Sequence, residues 1–185
     1  MASVFEPKLL TAEEYGQLPD DGRLTELVRG RIIEINRPFT SHGYYVSRVA
    51  AILWSIVEQN KLGRVVSGDA GVVTHRDPDS VRGLDVAFYS YQRIPPGQLP
   101  KGYWPASPEL VLEIRSEDDR WKEIIQKVGE YLGSNVLSVV VIDPASQRVH
   151  VFSADNEATI LNSSDSLTFP DLLPGFEIVV GRLFE

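Results

Sequence analysis

The sequence predicts an α/β or α+β fold with a central mixed β-sheet flanked by helices. Three observations predict it. Short apolar, β-branched runs recur through the middle of the chain, amphipathic segments with helical spacing lie between them, and strand-pair meanders stand at both ends. At 185 residues the chain has the size of one domain with room for a core, so residues 1–185 read as a single domain.

Each element has a local cause. Thr11-Ala12-Glu13-Glu14 has capping-box spacing and opens a short helix that must end before Pro19. Leu24 to Ile35 reads as a strand pair turning at Arg29-Gly30. Ser41 is the expected N-cap of a helix whose apolar face is Val46, Val49, Ala50, Leu53, Trp54 and Val57, closed by Gly63. Val65-Val66, Val72-Val73 and Asp85 to Tyr89 read as strands. Tyr91 to Pro108, with five prolines and no acid, reads as a long loop. Glu109 to Arg115 reads as a strand. A helix follows, capped by Asp118 or Asp119, with Trp121, Ile124, Ile125, Val128 and Leu132 on its apolar face and Gly133 at its end. Leu137 to Ile142 reads as a buried strand, and Val149 to Phe152 pairs back across Asp143-Pro144. Thr159-Ile160-Leu161 and Ile178-Val179-Val180 are weaker strands.

Composition removes several classes of function. With no cysteine there is no disulfide scaffold, thiolate metal site or cysteine nucleophile. No Walker loop, dinucleotide fingerprint or nucleophile-elbow serine is present. No apolar run approaches the roughly 18 residues that span a bilayer. The N-terminus lacks the charged-then-apolar order of a leader, so a cytoplasmic location is expected. The net charge of −8 opposes long-range attraction to a polyanion, so any nucleic-acid contact must be local.

Three ionisable residues interrupt apolar runs, where such groups are rare unless paired or metal-bound. Asp85 lies in Leu84-Asp85-Val86-Ala87-Phe88, and Glu113 lies in Leu110-Val111-Leu112-Glu113-Ile114. Strand alternation puts Asp85 with Ala87 and Tyr89, opposite Leu84, Val86 and Phe88. It puts Glu113 with Val111 and Arg115. If the two strands are neighbours, their acids converge and suit a hard cation, Mg²⁺ or Mn²⁺. The stripe of the later helix centres near Val128, which leaves Lys127 at its border beside Ile124 and Tyr131. From there its stem can run along the sheet and bring the ammonium to the acids. Two acids, a cation and a lysine are the parts of phosphodiester hydrolysis.

Glu26-Leu27-Val28-Arg29-Gly30, His42, the Asp85 run, Leu112-Glu113-Ile114-Arg115-Ser116, Lys127, Tyr131 and Val141-Ile142-Asp143-Pro144 follow one another in an order that resembles the Uma family of restriction-endonuclease-like proteins. That family belongs to the PD-(D/E)xK nuclease superfamily, and the likeness spans about residues 8 to 180. The resemblance implies a restriction-endonuclease-like core, a homodimer, and nucleic acid, DNA foremost, as the substrate. It makes Asp85 and Glu113 metal ligands, Lys127 the active-site lysine moved onto the following helix, and Glu26 a support for the metal or its water. Leu84 and Glu117 stand where the family usually has proline, and Arg115 stands where the strict pattern has lysine.

Other readings of the same residues stay open. Asp85 could bond a turn amide, and Glu113 could pair with Arg115 or Arg82. Lys127 could be a solvated flank residue, and Glu26 a polar residue of the hairpin. His42, in a first helical turn, is expected to be exposed. His75 and His150 read as ordinary strand or loop residues. Glu117-Asp118-Asp119 reads as a helix-start acidic run. Arg93, Lys101, Tyr103 and an exposed Trp104 suit either a nucleic-acid contact or an oligomer contact. A second function class therefore stands beside the nuclease: a catalytically inactive module of the same fold that binds or assembles.

Overall fold

The computed structural model describes residues 8–185, so nearly all of the segment inspected for a leader falls outside it. In chain order the elements are α1 (Ala12–Gly16), β1 (Thr25–Val28), β2 (Arg31–Glu34), α2 (Thr40–Gln59), β3 (Gly63–His75) and β4 (Ser80–Ser90). Then come β5 (Leu110–Ile114), α3 (Trp121–Gly133), β6 (Ser138–Asp143), β7 (Arg148–Ser153) and β8 (Asn156–Leu161). A short pair, β9 (Ser166–Thr168) and β10 (Glu177–Val179), and a 3₁₀ turn at Val180–Leu183 complete the chain.

The main sheet runs β2-β1-β4-β5-β6-β7-β8, with β3 also on β4. Among the described strands only β5 and β6 are parallel, and α3 is the crossover that a parallel pair requires. β3 accompanies β4 from Ser80 to Ser90 along one edge. β1 and β5 must therefore share the other edge. β1 touches it at Val81, and β5 pairs with it at Val86, Ala87 and Phe88. Between these contacts, residues 82–85 of β4 have no partner strand on that side among the described residues.

Both faces of the sheet are covered. α2 (Val49, Leu53, Val57) and the C-terminal segment (Leu167, Phe169, Leu173, Phe176) close one core over Val86, Phe88, Leu110 and Leu112. α3 (Val128, Tyr131) and Ile94 close the other over Ala87, Tyr89, Val111 and Val139. A smaller cluster seats Ala12 of α1 on Leu27 and Val81. No described helix is long and apolar enough to cross a membrane.

Several local expectations are corrected. α2 starts one residue before Ser41; its N-cap is Phe39, which makes no side-chain cap bond. Trp54 is 54% exposed because the buried stripe centres on Val49, Leu53 and Val57, with Val46, Ala50, Ile52 and Ile56 packed at its sides. Gly63 does not end the helix but opens β3, where a side chain would meet the Tyr89 carbonyl at 2.0 Å. The two valine pairs belong to this one long strand, which bulges between Ser67 and Ala70. On α3 the N-cap is Arg120 rather than an aspartate, and Ile125 is exposed because Tyr131 and Val128 hold the buried side. Leu137 precedes its strand and is exposed. Ile178 and Val179 pair only with β9, and Val180 begins the 3₁₀ turn. The 91–108 loop uses Arg93, Tyr103 and Trp104 internally, while Lys101 is exposed. Arg93 donates to the Ser107 and Pro108 carbonyls, Trp104 packs edge-on to Tyr89 at 4.7 Å, and Tyr103 lies against Gly71.

The capping box of α1 forms as expected, and a buried acid secures its start. Asp79 accepts from the Ala12 and Asp77 amides and from Arg76. Burial alone would raise its pKa, but these donors hold the carboxyl below its usual range. Asp79→Ala is expected to cost about 1–3 kcal/mol in urea unfolding at neutral pH. Because the folded-state pKa is depressed, this advantage exists above the unfolded value near 3.9 and fades as pH falls through the folded one.

Candidate active site

The unpaired stretch of β4 leaves backbone groups that a neighbouring strand would otherwise satisfy, and side chains take them up. Glu26, on β1, accepts from the Gly83 amide at 3.0 Å. Tyr131, on α3, donates its hydroxyl to the Gly83 carbonyl at 3.0 Å. Buried polar backbone without a partner is costly, so these contacts stabilise the gap. Glu26 is itself buried and is held at 2.6 Å by Arg82, whose guanidinium also forks onto Glu130 at 2.6 and 2.8 Å. Burial opposes the Arg82 charge, but Glu130 and Glu26 outweigh it and raise its pKa.

Asp85 sits at the end of the gap, opposite the β3 bulge, where Gly68 and Asp69 both have positive φ. The alternation expected of β4 changes phase here. Leu84 packs on the α3 side with Ala87 and Tyr89, whereas Val86 and Phe88 pack on the α2 side. A bulge re-aims side chains in this way. One Asp85 oxygen accepts the Ile114 amide at 2.7 Å, and the other meets His42 Nε2 at 3.0 Å. His42 is not exposed as expected; its Nδ1 lies 3.0 Å from Ser116 Oγ. The contact with Asp85 raises the imidazole pKa against partial burial.

The β4–β5 register pairs Val86 with Leu112, which makes Asp85 and Glu113 the next facing residues. Glu113 points to α3. It accepts from Lys127 Nζ at 2.7 Å and lies 3.0 Å from the Tyr131 hydroxyl, whose single proton it shares with the Gly83 carbonyl. Lys127 Nζ also lies 3.9 Å from Glu26. Burial pushes the Glu113 carboxyl up to about 7 against the pull of Lys127, and repulsion from Asp85 adds to it. Burial disfavours the Lys127 ammonium, but Glu113, Glu26 and Asp85 overcome this and keep its pKa above the ordinary lysine value. In this pair the lysine stays charged and the glutamate is the group of marginal charge.

Glu26, Asp85, Glu113 and Lys127 thus line one cleft of about 700 Å³. Arg115, at the strict-pattern lysine position, turns away to Asp143 at 3.2 Å and lies over Trp121. A cleft of about 750 Å³ between α1 and the 91–108 loop has no comparable convergence of acids and lysine. Sequence reasoning did not place Asp69 in the site. A Gly-Asp pair inside an apolar strand is its only signal, and it marks a bulge. Asp69 is exposed at the rim, where reduced solvation and then repulsion from Asp85 raise its carboxyl. His42 and Arg82 owe their roles to contacts more than forty residues away in the chain.

The donor set fits a hard divalent cation. Asp85 and Glu113 offer oxygen donors, and a cation would relieve the repulsion from Asp85 that adds to the effect of burial on Glu113. Among the described residues no group of three His, Asp or Glu side chains is arranged to hold an ion alone. Backbone carbonyl, water or substrate oxygen would complete the shell, which suits Mg²⁺ or Mn²⁺ better than Zn²⁺.

The Uma2 family model, described as "Putative restriction endonuclease", matches residues 12–181. The fold is similar to the crystal structure of a "putative nuclease belonging to DUF820" from Anabaena variabilis. The TM-score is 0.82 at 20% identity, covering 95% of this chain and 97% of that one. At that identity the likeness speaks for the fold. No curated protein matches the chain.

The ion network is expected to carry the gap. Arg82→Ala leaves Glu26 buried without its partner and should cost about 3–5 kcal/mol in denaturant unfolding. The double variant with Glu26→Gln should recover part of that loss; no recovery would mean that the two residues are not coupled.

Proposed function

Since the chain belongs to the Uma2 family, we propose that it is a metal-dependent endonuclease that hydrolyses phosphodiester bonds, with DNA as the substrate. The observation that carries this reading is the Lys127 ammonium, 2.7 Å from Glu113 in the cleft that Asp85 also lines. Bound through Asp85 and Glu113, Mg²⁺ or Mn²⁺ would supply Lewis acidity and lower the pKa of an attacking water. The Ile114 amide and His42 fix the Asp85 carboxylate in place. Lys127, held charged by three carboxylates, is a poor base. Its role is to orient the water and offset charge that grows on the phosphate. Glu26 is a positioning residue, anchored by Arg82 and the Gly83 amide and 3.9 Å from the lysine. A second copy of the chain is the proposed partner; the open β2 edge, with Ile32 and Ile33 exposed, supports pairing between copies.

Asp85→Ala and Lys127→Ala are each expected to reduce Mn²⁺-supported DNA cleavage by about 10²-fold or more. Lys127→Ala should largely keep its melting temperature, because a protonated Glu113 tolerates the loss of its lysine. Asp85→Ala frees the buried Ile114 amide and should lower it, so its cleavage is read where the variant is still folded. Equal cleavage by the purified double variant would refute the assignment. If calorimetry finds no Mg²⁺ or Mn²⁺ binding at millimolar concentration, the reading passes to the inactive binding or assembly module, which the net charge of −8 favours.

A further inference from the structure

The active-site cleft is strongly acidic and carries one exposed aromatic ring. Eight carboxylates line the cleft, and only Lys127, Arg37 and the half-buried His42 oppose them. A continuous phosphate backbone gains little from such a surface, because phosphate affinity comes from lysines and arginines that displace counterions. Apolar groups also line it, among them Ile35, Pro38 and Phe39 on the segment that carries Glu34, Asn36 and Arg37. Phe39 is 66% exposed, the most exposed large apolar side chain among the described residues. It stands at the cleft mouth as the residue before α2, three positions from His42. An aromatic ring held out at the mouth of an acidic cleft offers a face to an uncharged, flat group, and a nucleobase is such a group.

We infer that Phe39 is a substrate-contacting residue that stacks on an unpaired base, and that the cleft therefore takes single-stranded or locally unpaired nucleic acid in preference to intact duplex. The inference rests on the nuclease reading for its substrate class and adds the mode of recognition. Stacking on an aromatic side chain is indifferent to sequence and independent of phosphate charge. Within a duplex the base faces are already stacked, so engaging Phe39 requires the base to leave the helix. Only Lys127 and Arg37, with His42 when protonated, are placed to meet phosphates at this cleft.

The test is fluorescence anisotropy with a labelled short oligothymidylate and a duplex of the same length, in Ca²⁺, against the intact chain and its variants. The single strand is expected to bind more tightly. Phe39→Ala should weaken single-strand binding about tenfold, whereas Phe39→Trp should retain it. Log affinity against log salt should have a shallow slope, about −1.4 to −2 for two or three phosphate contacts. Equal binding by Phe39→Ala, or duplex preference with a slope steeper than about −4, would overturn the inference. So would a variant that changes oligomeric state in gel filtration without changing binding, since Phe39 would then be a contact between copies. If Phe39→Ala binds normally while Lys127→Ala abolishes cleavage, the stacking inference alone falls. If stacking is found but no variant or native protein cleaves, the catalytic reading alone falls. If no oligonucleotide binds, both fall.

Discussion

The stretch of β4 from Arg82 to Asp85, left without a strand on one side, is the constraint from which the site follows. A sheet edge interrupted in its interior must satisfy its amides and carbonyls by other means. Glu26 and Tyr131 supply Gly83 with an acceptor and a donor, and Asp85 takes the amide of Ile114 on the next strand. Each substitute for a backbone partner is also a polar side chain facing the cleft or one step from it. The polar cluster is therefore the way this sheet closes its gap, and its chemical potential comes with that solution.

Charge inside the gap is arranged unevenly. Arg82 compensates Glu26 and Glu130 through short, forked contacts, so that region is internally settled. Glu113 and Glu26 share the Lys127 ammonium while Asp85 pairs with His42, and burial, with added repulsion from Asp85, pushes the Glu113 carboxyl up to about 7. Removing one partner of a buried pair costs more than the pair itself contributes. The same burial that weakens the fold slightly at Glu113 leaves its carboxyl the group of marginal charge in the cleft. Lys127, with three acids around it, is correspondingly fixed in its charged form.

Much of this was legible in the chain, and the reason differs by residue. Asp85 and Glu113 stood out because apolar runs rarely tolerate an acid, and Lys127 followed from helical geometry. Those are local signals, and the structure brings all three to one cleft. The strand pair at Arg29-Gly30, the strand-helix-strand succession of β5, α3 and β6 and the α1 capping box were also readable from periodicity and turn chemistry. His42 was misread because its partner Asp85 lies on another element, and a first-turn histidine by itself looks solvated. Trp54, Ile125 and Trp104 were misjudged for the converse reason: helical spacing or loop composition does not say where the covering element ends. The phase change at Leu84 depends on a bulge in the neighbouring strand, which no pattern within β4 encodes.

A Mn²⁺-soaked crystal is the most direct test of whether the gap in β4 builds one cation site. The account predicts a single anomalous peak within about 2.5 Å of a carboxylate oxygen from both Asp85 and Glu113, with Lys127 still bonded to Glu113. No peak at millimolar Mn²⁺, or a peak held only by the rim acids Asp118, Asp119 or Glu123, would contradict it.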